Sequence, residues 1–333
     1  MKIYDNNQLS LKIISILKER LDKNYSKGLT KRDAHPKCLG LLKAYFIVDK
    51  NLPLQYREGI FNKDCYKAFI RVSNSNPKTK SDKYKDIRGF SIKLLDVYGQ
   101  KCIKDEKFTQ DFLLISMKTM PIGTLKLMYD ALYYTRKSKS IKPIIFIGKL
   151  IKDKHTNIFT DIIKNIKHDT SPLDINYYST TPYMFGNRIV KYRIVPRSIY
   201  KSKLPKKLTD NYLTENMQNH LYKEEAVFDF MIQFYINDIY TPINDASIEW
   251  EENKSPFIKL GEIRIPKQRF TTKKRFELAE KMSFSPGHSL LSHKPIGDIN
   301  EARVKIYEEM SKYRHYRNKE KLYEPNEDDF DNI

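Results

Sequence analysis

Short runs in which apolar and polar residues alternate recur along this chain, and they commit much of it to β-structure. In CYKAFIRVS (65–73), Tyr66, Ala68, Ile70 and Val72 fall on one side of an extended strand, and Phe69, Arg71 and Ser73 on the other. Strand-like sequence begins near residue 43 and continues to about 120 through RGFSIKLLDV and DFLLISM, with the turn-rich NSNPKTKSD between the first two runs. It resumes in NRIVKYRIVP (187–196), AVFDFMIQFYI (226–236) and KLGEIRIP (259–266). Apolar residues at helical spacing predict helices over 8–24, 123–137, 156–167, 272–282 and 299–317. Strands of middle length with helices between and after them predict an α+β fold on a large antiparallel sheet or β-barrel. No repeat, phosphate-binding glycine loop or linker divides the chain, so one domain is expected over 1–320, followed by an acidic mobile tail, 321–333.

The 333 residues are 40% hydrophobic, enough for a full core. No apolar run approaches a membrane span, and the first residues lack the layout of a signal peptide. Cys38, Cys65 and Cys102 are odd in number and far apart, which predicts no disulfide frame, no zinc knuckle and a reducing, cytoplasmic home. The net charge of +20 suits an anionic partner, yet the lysines are scattered and no nucleic-acid motif accompanies them. No specific nucleic acid is therefore expected.

The last helix carries unusual chemistry. In EARVKIYEEMSKYRHYR (301–317), Arg303 lies four residues before Tyr307 and Arg314 seven after, which puts all three on one helical face. A phenol ordinarily ionises near about 10. A guanidinium one turn away favours its phenolate, and phenolate is a ligand for ferric iron. Elsewhere, KRDAHPKCLG sets Arg32 three residues before His35, and FIRVSNSNP puts Arg71 and Ser73 on one strand face. An arginine on the inner face of a strand needs an anion, because its charge cannot be shed.

Taken together, KRDAHPKCLG, LPLQYREGIF, AFIRVSNSNP, DIRGFSIKLLD, TQDFLLISM, SPLDINYYSTTPYMFGNRIVKY, PINDASIEWEENKSPF, FSPGHSLLSHKPIG and ARVKIY resemble, in order, the catalases from about residue 28 to 317. The resemblance extends to their short catalase-like relatives, which include the coral allene oxide synthase. It implies a catalase-like β-barrel with helices around it and a haem b whose iron is bound through Tyr307, with Arg303 supporting the phenolate. It further implies that His35 is the distal histidine, moving a proton between peroxide oxygens, that Ser73 hydrogen-bonds it, and that Arg32, Arg71 and Arg314 bind the haem propionates.

The sequence also departs from the family. The distal asparagine position falls at Lys107, and the phenylalanine that stacks over haem is replaced by Met120. Ala34 precedes His35, apolar as in catalases. No long N-terminal arm and no C-terminal flavodoxin-like domain is expected, so a catalase-like NADPH site and an entwined tetramer are not assumed. The resemblance implies a haem-dependent peroxidase or catalase-type oxidoreductase acting on hydrogen peroxide or organic hydroperoxides. A fatty-acid hydroperoxide-rearranging or -cleaving enzyme and a non-catalytic haem carrier are the alternatives. The partners implied are a peroxide substrate, a lipid hydroperoxide or anionic membrane surface, and a second copy of the chain. His288 and His293 have no zinc spacing, Trp250 is expected to pack, and Asp111 and Asp245 are expected to be hydrogen-bonding residues of turns or strand ends.

Overall fold

The computed structural model of the chain describes residues 4–104, 108–136, 141–153, 158, 160, 163, 164 and 166–333. Its centre is a closed antiparallel barrel. Strands β1 (Lys37–Val48), β2 (Cys65–Asn74), β3 (Arg88–Leu94) and β4 (Gln110–Ile115) form a meander. The short β5 (Tyr177–Tyr178) pairs with β4 on one side and with β7 (Arg188–Pro196) on the other. From β7 the sheet returns through β8 (Ala226–Phe234) and β9 (Ile258–Ile265) to β1, closing eight strands on themselves. A further strand, β6 (Tyr183–Phe185), forms a hairpin with β7. Closure removes the unpaired edges that would otherwise template aggregation.

Alternation dictates what fills the barrel. Tyr66, Ala68, Ile70 and Val72 of β2 join Phe46, Phe90, Phe112, Tyr192, Phe228 and Phe230 in one continuous interior core. The ring of Phe112 lies 5.0 Å from Phe230 and 5.0 Å from Tyr192 across the barrel, with edges meeting faces. The interior is packed with side chains. Arg71 and Ser73 therefore face outward from the barrel wall, which corrects the expectation of an inner-face arginine; they are buried because helices and loops cover that side.

Helix α1 (Asn6–Asn24) starts where Asp5 accepts a hydrogen bond from the Gln8 N–H at 2.7 Å. Its Leu9, Ile13, Ile16 and Leu17 pack against α2 (Leu125–Thr135) and the long C-terminal helix α6 (Asp298–Asn318). Between them in sequence lie α3 (Lys142–Lys152), α4 (Tyr212–Lys223) and α5 (Lys273–Lys281), the first two not foreseen from periodicity. Half of the helix expected at 156–167 lies outside the described residues.

The acidic C-terminal segment departs from the mobile tail expected of it. It carries α7 (Glu327–Asn332), begun by a capping box between Asn326 and Asp329, and Phe330 is buried beside Phe69 of β2. Just before it, Glu324 reaches Lys93 of β3 at 2.6 Å, and Lys93 pairs with Asp111 of β4 at 2.8 Å. Asp111 also accepts from the Ser285 N–H at 2.9 Å and lies 3.0 Å from His288 Nδ1, so it is a buried junction in a strand. Asp245 is the turn residue expected, accepting from the Ser247 N–H and hydroxyl at 2.9 and 2.6 Å.

Because Phe112 touches rings from several strands, Phe112→Ala should cost about 3–5 kcal/mol. Urea unfolding of the two proteins, read by circular dichroism, checks this.

Candidate functional site

The outer face of β2 and β3, beneath the helices, gathers the polar residues singled out in the sequence. His35 lies just before β1 with φ +59°, a left-handed conformation that costs a non-glycine residue about 1–3 kcal/mol unless its surroundings hold it. Arg71 does so, donating from Nη2 to the His35 carbonyl at 2.9 Å. The ring is fixed separately: His35 Nδ1 lies 3.0 Å from Ser73 Oγ. With Nδ1–H donating to that hydroxyl, Nε2 keeps a free lone pair.

This contact requires a glycine that sequence reasoning passed over. Gly89 of β3 is the cross-strand partner of Ser73. A Cβ at Gly89 would sit 2.6 Å from His35 Nδ1 and Cε1 and 2.8 Å from Ser73 Oγ. The signal was in the sequence, since a glycine inside a strand pattern marks a close approach. Burial, the charge of Arg71 and smaller effects from Arg303 and Arg32, opposed by Asp86, hold the His35 imidazole down to about 4. It is neutral at physiological pH.

Three guanidiniums converge beside it. Arg32 reaches Glu280 Oε2 at 3.3 Å, Arg71 lies 3.7 Å from Glu280 Oε1, and Arg314 donates to the Glu280 main-chain carbonyl. Arg32 also donates to the Ala279 carbonyl at 2.8 Å and to that of Met282. Burial alone would raise the Glu280 carboxyl, yet Arg32, Arg71 and Arg314 pull it below its ordinary value. Burial and the repulsion of Arg71 pull Arg32 well down. Among the described residues Glu280 is the one carboxylate ion-paired with these guanidiniums, Glu320 and Glu324 acting on Arg314 from farther away, and Arg71 Nε is buried without a hydrogen-bond partner. Such a cluster calls for more anions. Nothing in the sequence had marked Glu280, an ordinary acid on a helix.

On α6, Arg303 Nη2 lies 3.5 Å from the Tyr307 hydroxyl, with the guanidinium 5.2 Å from the ring centre. Its Nη1 is anchored by Thr181 Oγ1 at 2.9 Å and Asn300 Oδ1 at 3.0 Å. The pairing that the spacing predicted is therefore formed, and its charge reaches His35. Met120 packs against the helical cluster that contains Leu9, Leu125, Ile299 and Ile306. Lys107 lies outside the described residues. His293 accepts from the Ile60 N–H at 3.2 Å in the core, and among the described residues no group of His, Cys, Asp or Glu side chains could hold a metal ion. Trp250 packs, its indole donating to the Pro242 carbonyl at 3.1 Å.

These features fit haem: two propionates would meet the three guanidiniums and the orphaned Arg71 Nε, a tyrosine with its arginine would hold the iron, and a neutral histidine is set by a serine.

No family model and no curated protein matches the sequence. Solved structures do. A fungal catalase superposes with a TM-score of 0.68 at 16% identity, covering 90% of this chain and 62% of that one. A bacterial catalase gives 0.67 at 14%, covering 90% and 60%, and catalase A from Saccharomyces cerevisiae gives 0.68 at 15%, covering 89% and 63%. The chain thus spans somewhat over half the length of these structures. It has a catalase-like fold.

Two outcomes follow from the geometry. Gly89→Ala should push His35 off Ser73 and destabilise the fold by about 1–3 kcal/mol, measured by denaturant unfolding. Because the unfolded chain protonates His35 near 6.5 and the folded chain near 4, the unfolded state binds more protons between those values. Stability should be whole above that window and fall as pH drops through it. His293, held to about 4 by burial, shares the slope. In His35→Asn, melting temperatures across the window should therefore fall less steeply than in the wild type.

Proposed function

We propose that this chain is a haem-dependent, peroxide-consuming oxidoreductase. The observation that carries the reading is the neutral His35, fixed by Ser73 over the Gly89 gap, on the same ground as an arginine cluster with unmet demand for anions. Tyr307 would ligate the iron, with Arg303 stabilising its phenolate by charge. Arg32, Arg71 and Arg314 would pair with the propionates through charge-assisted hydrogen bonds. Bound haem supplies the ferric centre at which a peroxide O–O bond is cleaved.

The chain's own contribution is proton transfer and positioning. His35 Nε2 accepts the proton from one peroxide oxygen and returns it to the other, which leaves as water or an alcohol. The depressed basicity of the ring keeps it unprotonated and ready to accept at neutral pH, and the same depression makes its imidazolium a strong acid for the return step. Ser73 holds the ring in one orientation, and the Arg71 grip on the His35 carbonyl keeps the backbone in its strained form.

Tyr307→Phe has no oxygen to offer iron and should lose haem or change its absorption spectrum after reconstitution; unchanged haem content and spectrum would remove Tyr307 from the site. His35→Ala should keep haem and react with hydrogen peroxide or a lipid hydroperoxide on the order of 100-fold more slowly in stopped-flow mixing. Equal rates would reduce His35 to a structural role.

A further inference from the structure

The α3 helix, Lys142–Lys152, is apolar on two sides. Its inner side is accounted for: Phe146 and Leu150 are buried with Leu127 and Ala131 of α2, and Phe146 stacks on Tyr134 with ring centres 6.0 Å apart. An ion pair from Lys149 to the buried Asp130 of α2 fixes the helix in this orientation. Among the described residues its outer side has no such cover. Ile141, Ile144, Ile145 and Ile151 are 68%, 68%, 48% and 60% exposed. Their spacing of three, four and ten residues from Ile141 lines them along one helical face. Gly148 completes that face, and a Cβ there would meet nothing within 4 Å. Ile147, beside the stripe, is 43% exposed. Scattered exposed isoleucines need no explanation, but a continuous stripe of them marks an interaction surface.

Charge decides the partner. Among the described residues, Arg136, Lys142 and Lys152 flank the stripe, no Asp or Glu occurs from 136 to 152 in the sequence, and Asp153 at the helix end is the first acid to follow. A second copy of this chain would bring its own net charge of +20 against that basic rim, and nucleic acid has no apolar phase to receive isoleucine. An anionic bilayer meets both demands, drawing in cations at its headgroups and apolar side chains at the acyl boundary. The helix has eleven residues, enough to lie in the interface, and no helix of the described residues is long and apolar enough to cross a membrane.

We propose that α3 is an interfacial anchor that lays Ile141, Ile144, Ile145 and Ile151 into an anionic membrane surface. The anchor is independent of haem, so it stands or falls separately from the peroxide chemistry.

The test is sedimentation of the full-length protein with lipid vesicles. Wild type should pellet with phosphatidylcholine vesicles containing phosphatidylserine and remain in solution with phosphatidylcholine alone. The triple substitution Ile144→Ser, Ile145→Ser, Ile151→Ser removes exposed side chains only. It should melt like the wild type and bind the anionic vesicles at least about tenfold more weakly. Lys142→Gln with Lys152→Gln should weaken binding and reduce its dependence on salt. The proposal is overturned if wild type ignores anionic vesicles, or if the triple variant binds them equally well, since charge alone would then explain attachment. It is also overturned if wild type dimerises without lipid and the triple variant does not, since the stripe would then be a contact between copies.

Discussion

A barrel filled by its own side chains has no interior to offer a cofactor, and that constraint governs where chemistry can occur in this chain. Phe46, Phe112, Tyr192 and Phe230 meet at the centre, so polar groups on the strands must work on the outer face. There they would be solvated and mobile if nothing lay above them. Helix α5 packs on β1 and α7 on β2, and the helices also bring the second half of the candidate site: Glu280 from α5, and Arg303, Tyr307 and Arg314 from α6. The barrel sets the histidine and serine, and the helices bring the phenol and the remaining charge.

The site's electrostatics follow from that burial. Removing guanidiniums from water is costly unless anions repay it. Among the described residues, Glu280 and several backbone carbonyls meet these cations but leave Arg71 Nε without a partner. The same positive field, together with burial, keeps the His35 imidazole neutral. One arrangement of cations thus does two things: it creates a demand for carboxylates and it tunes a base.

Much of this was legible in the sequence, for identifiable reasons. Period-two alternation located β2, β3, β4, β7, β8 and β9 within a few residues, because each strand has one face in the filled interior. The Arg303–Tyr307 pairing was legible because helical offsets are local geometry. Which side of β2 faced inward was not: both faces are buried, and an alternating pattern alone does not label them. Glu280 was invisible because its partners lie far away in sequence, at Arg32 and Arg71. Helix α3 escaped notice although its apolar residues recur at helical spacing, with Phe146 and Leu150 buried against α2. The ordered C-terminal helix was hidden by its acidic composition, which Lys67 partly offsets through Glu327 and Asp331.

The central claim is that the outer-face cluster holds haem through a tyrosine. Resonance Raman spectroscopy of the haem-reconstituted protein reads the ligand directly. The account predicts enhanced ring modes of an iron-bound phenolate, shifting when the protein is grown with ring-deuterated tyrosine. A spectrum of histidine- or cysteine-ligated haem, unmoved by tyrosine labelling, would contradict it.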